Sequence, residues 1–265
     1  MTVFGRPRRH LAVTSSTNDR ARELADGGAP SGTIVTAGVQ TSGRGRRGRS
    51  WTAPAGKALL CSAVLAPLER EHSLLPIAVP LAVCEAAESL APIECRVKWP
   101  NDVWACEPRA EPDGAAAAPP PGGRKPPGAA GRKLAGVLIE ARPPAWAVIG
   151  IGLNVAIEPG EFPADLRHPA TSIGHGVQVE EALAAVCERL GSWVDADRER
   201  IVAEFATRDA LAGRRVRWVG AGGRAAEGSG LARGIDERGN LRVLTEAGEP
   251  LSLGAGEVQL VDPGG

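Results

Sequence analysis

The sequence predicts a mixed α/β (α+β) fold, a central mixed sheet flanked by helices, followed by a small all-β unit. Three observations predict it. Strand-like runs alternate with helix-like runs as far as residue 211. Two of the strand-like runs, 133–141 and 145–157, are almost wholly apolar, as buried central strands are. From Gly213 onward the pattern changes to short strands with glycine turns, one about every 8–12 residues, the spacing of a small barrel. The chain has 265 residues, which suits one domain (1–211) with a small appendage (212–265).

The elements follow in order. Residues 16–28, STNDRARELADGG, read as a short helix with a Ser/Thr N-cap, Asp19 in the first turn and Gly27 as the stop. Residues 32–40 and 57–67 are apolar strands. Residues 73–90 have helical length and periodicity; Pro76 suits a first turn, and Pro80 should kink the helix or mark a late start. ECRVKWPNDVW (94–104) is a strand broken by a Pro-Asn-Asp turn. Of the 28 residues in 105–132, 20 are Ala, Pro or Gly, too little apolar bulk to order a core. That segment is expected to be a disordered, functionally neutral loop joining two adjacent strands. RPP (142–144) turns 133–141 into 145–157, and 179–211 form one long or two consecutive helices.

Composition narrows the function. Lys+Arg and Asp+Glu both number 31, so a surface built broadly for nucleic acid or anionic membrane is excluded. No apolar run approaches the roughly 20 residues that span a bilayer, and the N-terminus lacks a signal-like apolar stretch. Five widely spaced cysteines without a C-x-x-C pair read as buried thiols of a cytoplasmic protein, and four scattered histidines lack metal-ligand spacing. Six Trp, three Phe and no Tyr leave few stacking platforms for single strands.

Against that neutral background, TSGRGRRGRSW (41–51) concentrates four arginines and three glycines after a strand. The glycines let the backbone approach a ligand, and guanidinium groups grip phosphate or carboxylate. A P-loop is excluded because the G-K-[ST] ending is missing; a solvated basic turn or a nucleic-acid patch remains open. In VKWPND (97–102), Lys98 and Trp99 face opposite sides of a strand, and a tight turn presents Asn101 and Asp102 to a metal, ribose or base, or simply closes an Asx turn. Lys133 stands at the head of a buried strand, at a pocket rim or as a snorkelling strand end. Asn154 is an amide inside an apolar run and must find backbone or ligand partners.

In this order, SSTND (15–19), QTSGRGRRGRSW (40–51), VKWPNDV (97–103), RKLAGVLIE (132–140) and GIGLNV (150–155) resemble the biotin–protein ligase family. The likeness covers about residues 14–155 and continues loosely to the C-terminus. It implies a class II aminoacyl-tRNA-synthetase-like catalytic domain with an SH3-like barrel. It also implies a two-step reaction: biotin and ATP give biotinyl-5'-AMP, which a lysine of a biotin carboxyl carrier domain then attacks. By motif match, Ser16, Thr17, Asn18, Gln40, Arg44, Gly45, Arg46 and Lys133 would contact biotin. Arg46 would grip the phosphate, and Lys133 would bridge the carboxylate and α-phosphate. Trp51, on the adenylate side, would shield the adenine or the acyl chain, and Lys98, Asn101, Asp102 and Asn154 would serve the nucleotide, with Asp102 on Mg²⁺. The SSTND motif begins at residue 15, which leaves no room for the DNA-binding winged helix of some family members, so ligase activity without repression is expected. A glycine-arginine nucleic-acid hook is disfavoured by the zero net charge. The lipoate–protein ligase signature (R-R-x-S-G-G-G, then V-x-H) is missing.

Overall fold

The computed structural model describes residues 2–106, 131–220, 227–254 and 256–261. Seven strands form the first sheet: β1 (Arg8–Thr14), β2 (Ile34–Gln40), β3 (Ala58–Leu65), β4 (Glu94–Lys98), β5 (Asp102–Cys106), β6 (Arg132–Arg142) and β7 (Trp146–Asn154). Their spatial order is β1-β2-β3-β7-β6-β5-β4, with β1 and β2 parallel and every other pair antiparallel. The sheet is therefore mixed, as expected. Four helices accompany it: α1 (Thr17–Asp26), α2 (Leu75–Leu90), α3 (Val179–Val194) and α4 (Arg198–Arg208).

Alternation in β3 divides the two faces. Leu59, Cys61, Ala63 and Leu65 point into a core shared with α2 and α3, while Val64 joins Val35 and Val148 beneath α1. Helix α1 begins at the expected Ser16, but the serine side chain does not cap it. Gln40, at the end of β2, accepts the Thr17 backbone N–H instead, at 2.7 Å. One of the helix's orphan donors is thus satisfied from a neighbouring strand. Helix α2 starts with Pro76 in its first turn and runs through Pro80 to Leu90.

One strand was not anticipated, and three expectations change. The basic start of the chain holds β1, an edge strand whose side chains are mostly exposed and so carry no alternation signal. The 105–132 segment is shorter than its composition suggested: Ala105 and Cys106 end β5, and Arg132 begins β6, its paired neighbour. Residues 107–130 lie outside the described residues, so the expected disorder does too. Within residues 70–90 an 18-residue window has mean hydropathy 1.4, so this helical stretch is long and apolar enough to cross a bilayer by length and composition, contrary to the count of apolar runs. Two-thirds of that window is buried in the protein core, as in the core helix of a globular domain. Finally, residues 212–261 form β8 (Arg215–Val219), β9 (Glu227–Ile235), β10 (Leu241–Thr245), β11 (Pro250–Leu253) and β12 (Glu257–Leu260). They pair antiparallel in the order β11-β10-β9-β8-β12. No hydrogen-bonded closure between β11 and β12 is seen among the described residues, since strand spacing counts strands but does not fix which edges meet.

The two sheets share apolar packing. Trp99, in the turn between β4 and β5, is 2% exposed, and its Nε1–H donates to Gly239 O at 2.9 Å. Trp99→Ala should lower the unfolding free energy by about 3–5 kcal/mol, because it opens a cavity and orphans a carbonyl. Urea unfolding checks this; a loss below about 1 kcal/mol would show that the turn does not weld the sheets together.

Candidate functional site

The site lies on the α1 face of the first sheet, where side chains are scarce. Gly136 pairs with Gly152 across β6 and β7, and Gly150 pairs with Ser62 and Leu138. These positions share one face by the two-residue period, so three glycines strip it to backbone and leave a trough. Asn18 from α1 and Trp51 from the arginine loop lie in it. A methyl group added at Gly150 would sit 2.1 Å from Asn18 Oδ1, and one at Gly152 would sit 2.4 Å from Trp51 Cε2.

The floor is a polar network. Ser62 Oγ lies 2.8 Å from Thr17 Oγ1 and donates to Asn18 Oδ1 at 2.6 Å, while Gln40 Oε1 accepts from Thr17. Asn18 Nδ2 donates to Glu140 Oε2 at 2.8 Å. Ser16, Thr17 and Asn18 are all buried. Both ends of the Asn18 amide are therefore held, which fixes its orientation. The trough is lined by Ser16, Thr17, Asn18, Gln40, Arg44, Gly45, Arg46, Trp51, Asn101 and Lys133, so it gathers ten of the thirteen sequence-derived candidates. Lys98, Asp102 and Asn154 complete the surroundings.

The four loop arginines take different roles. Arg44 Nη2 pairs with Asp19 at 2.7 Å and Glu140 at 3.1 Å. Arg47 donates to Val219 O at 2.9 Å, and Arg49 lies 3.4 Å from Glu257. The Arg46 guanidinium has no hydrogen bond or ion pair shown among the described residues, and burial together with Arg49 lowers its pKa. A half-buried guanidinium lining a trough, with no hydrogen bond or ion pair among the described residues, has donors free to receive an anion.

Lys133 reaches this face through a β-bulge. The β5–β6 register shifts between Val103 and Trp104, so Leu134 and Ala135 both enter the core. Lys133 Nζ then lies 2.8 Å from Asp102 Oδ1 and 5.5 Å from the Trp51 ring centroid. Lys98, opposite Asp102 on β4, is 5.4 Å from the Trp104 ring. His168 is held neutral, its pKa pushed down to about 4 by burial and then by Lys98. One carboxylate thus faces several cations, and the region is electropositive. Asn101 Nδ2 donates to Val137 O at 2.9 Å, and Asn154 Nδ2 to Thr171 O at 2.9 Å, so both amides brace backbone here.

Burial lowers the Lys98 pKa from 10.5 to about 8. Between those values the unfolded chain binds the proton more than the folded one, so this group makes stability rise with pH from about 8 to 10.5. In Lys98→Met that rise should be missing when unfolding free energies at pH 8 and 10 are compared; an unchanged slope would place the titration elsewhere.

Sequence reasoning missed Ser62 and Glu140, and gave no weight to Gly150 and Gly152. Glycines two apart in an apolar strand, GIGLN, were the available signal, because period 2 puts both on one face.

A family model described as the Biotin/lipoate A/B protein ligase family matches residues 10–154. The chain belongs to this family. A second model, the Biotin protein ligase C terminal domain, matches residues 212–261. Among the family's curated relatives, the Biotin--[acetyl-CoA-carboxylase] ligase of Mycobacterium tuberculosis is 32% identical over 94% of this chain and 86% of its own length. The Bifunctional ligase/repressor BirA of Bacillus subtilis is 32% identical over 68% of this chain, and the match spans half of that relative's length. The biotin protein ligase from Aquifex aeolicus, solved in complex with biotin and ATP, superposes with a TM-score of 0.75 at 27% identity. That superposition covers 97% of this chain and 99% of the other.

Proposed function

We propose that this member of the biotin/lipoate protein ligase family is an ATP-dependent biotin–protein ligase. The observation that carries the reading is the convergence on the trough of glycines of a bulge-delivered Lys133 and an Arg46 with no hydrogen bond or ion pair among the described residues. The Aquifex relative, similar along the whole chain, was solved with biotin and ATP, which supports those substrates here.

In the first step a biotin carboxylate oxygen attacks the α-phosphorus of ATP, the bond to the β-phosphate oxygen breaks, and pyrophosphate leaves with its electron pair. Two anions must meet, so Lys133 draws the carboxylate and α-phosphate together while Arg46 takes charge developing on the phosphoryl oxygens. In the second step a neutral lysine amine of a biotin carboxyl carrier domain attacks the acyl carbon, AMP leaves, and the amine proton departs to solvent. Ser16, Thr17, Asn18 and Gln40 form the polar end of the biotin site. Gly45 lets the loop backbone approach, Arg44 fastens the loop to Asp19 and Glu140, and Trp51 covers the acyl chain. Lys98 and Asp102 face the nucleotide side, which Asn101 and Asn154 frame.

Asp102 does not by itself fit a resident Mg²⁺: it is paired with Lys133, and among the described residues no group of three potential ligands occurs. Magnesium would arrive on the ATP phosphates, as part of that substrate. The class II synthetase-like character of the first sheet and the SH3-like character of the second belong to the same reading, as do the boundary near residue 212 and a cytoplasmic location. Five short antiparallel strands support the barrel assignment, and five free cysteines support the location.

Exchange of labelled pyrophosphate into ATP tests the assignment. Biotin-dependent exchange is expected; lipoate-dependent exchange, or none with either acid, would refute it.

A further inference from the structure

The second sheet touches the arginine loop at two points, and a loop beyond β7 shares one of them. Glu257 Oε1, on β12, lies 3.4 Å from Arg49 Nη1 and also pairs with Arg167. Its side chain is only 21% exposed. Arg47, the one non-glycine residue with positive φ among those described (60°), donates to Val219 O at the end of β8. Gly220 makes room for that guanidinium: a methyl group there would sit 2.1 Å from Arg47 Nη2.

These contacts have an electrostatic reason. Arg46, Arg47 and Arg49 lie within five residues and oppose one another, and Arg49 and Arg47 both depress the Arg46 pKa. Without counter-groups the closed loop would push itself apart before any phosphate arrived. Carboxylates hold Arg44 and Arg49, a carbonyl holds Arg47, and Arg46 lines the trough with no hydrogen bond or ion pair among the described residues. The Arg167 loop is bound to the head of β6 by Lys133 N–H to Pro169 O (2.7 Å) and Thr171 N–H to Lys133 O (3.0 Å). One carboxylate therefore joins the segment carrying Arg46 to the segment that braces Lys133.

We propose that Glu257 is a positioning residue: seated on the C-terminal sheet, it latches Arg49 of the arginine loop to Arg167 so that the cover is closed and Arg46 aimed before the nucleotide binds. The proposal rests on the ligase reading for its consequence in catalysis, but the latch has its own readout. The loop's arginine bonds are trypsin sites, so opening can be followed without substrates.

In Glu257→Gln, trypsin cleavage after Arg46 and Arg47 should quicken at least about fivefold, the scale of one well-placed ion pair, while the melting temperature stays within about 2 °C. In exchange assays the KM for ATP should rise by a similar factor with kcat little changed, a split that a general loss of folding would not produce. Combining Glu257→Gln with Arg49→Ala should add little to either single change. Wild-type cleavage rates in Glu257→Gln would overturn the latch, as would a lower KM for ATP, which would make Glu257 a competitor of phosphate. Faster cleavage in a protein whose wild type shows no biotin-dependent exchange would uphold the latch and refute the substrate assignment.

Discussion

Lys133→Ala is expected to slow biotinyl-adenylate formation by about a hundred- to thousandfold, the cost of removing one preorganised charge from a phosphoryl transition state. On the proposed mechanism the ammonium sits where a carboxylate and a phosphate must meet, and its described neighbours leave no substitute. Lys98 is across Asp102 beside Trp104, and Arg46 approaches from the covering loop. Removing Lys133 also strips Asp102, 6% exposed, of its closest cation, so an anion is left where two more must bind. Single-turnover measurement of adenylate with saturating biotin and ATP isolates the step. A wild-type rate there would remove Lys133 from the chemistry.

Gly150→Ala should weaken biotin binding at least about a hundredfold, although it adds a single methyl group. That methyl would lie 2.1 Å from Asn18 Oδ1, and Asn18 has nowhere to retreat because Ser62 and Glu140 hold its two ends. Relief requires α1 to shift or the buried amide to lose a partner, and either spoils the polar end of the trough. Gly160→Ala is the control, since a methyl there meets nothing within 4 Å. Titration of both variants with biotin decides the matter; native affinity in Gly150→Ala would show that the network yields and the trough is looser than its contacts imply.

Much of this site was readable in advance for a simple reason. The segments bearing it are local: a helix start (Ser16, Thr17, Asn18), a loop (41–51) and a hairpin turn (Asn101, Asp102), each recognisable from a few consecutive residues. Helix α1, strands β2 and β3 and the β6–β7 hairpin were legible from periodicity because each buries a face of its own. Strand β1 was not, since it lies at an exposed edge, and neither was closure of the second sheet, which depends on edges far apart in sequence.

The chain alone determined the inventory: three glycines for a bare face, four arginines in a glycine-rich loop, one lysine before an apolar strand, and an amide turn. Tertiary structure decided what each member of that inventory does. The bulge between Val103 and Trp104 turned Lys133 out of the core, and distant partners (Glu140, Val219 and Glu257) engaged three arginines and left Arg46 without an ion pair or hydrogen bond among the described residues. The reason is that local sequence sets backbone preference and burial, whereas the orientation and charge state of a side chain are set by whatever other segments the fold packs against it.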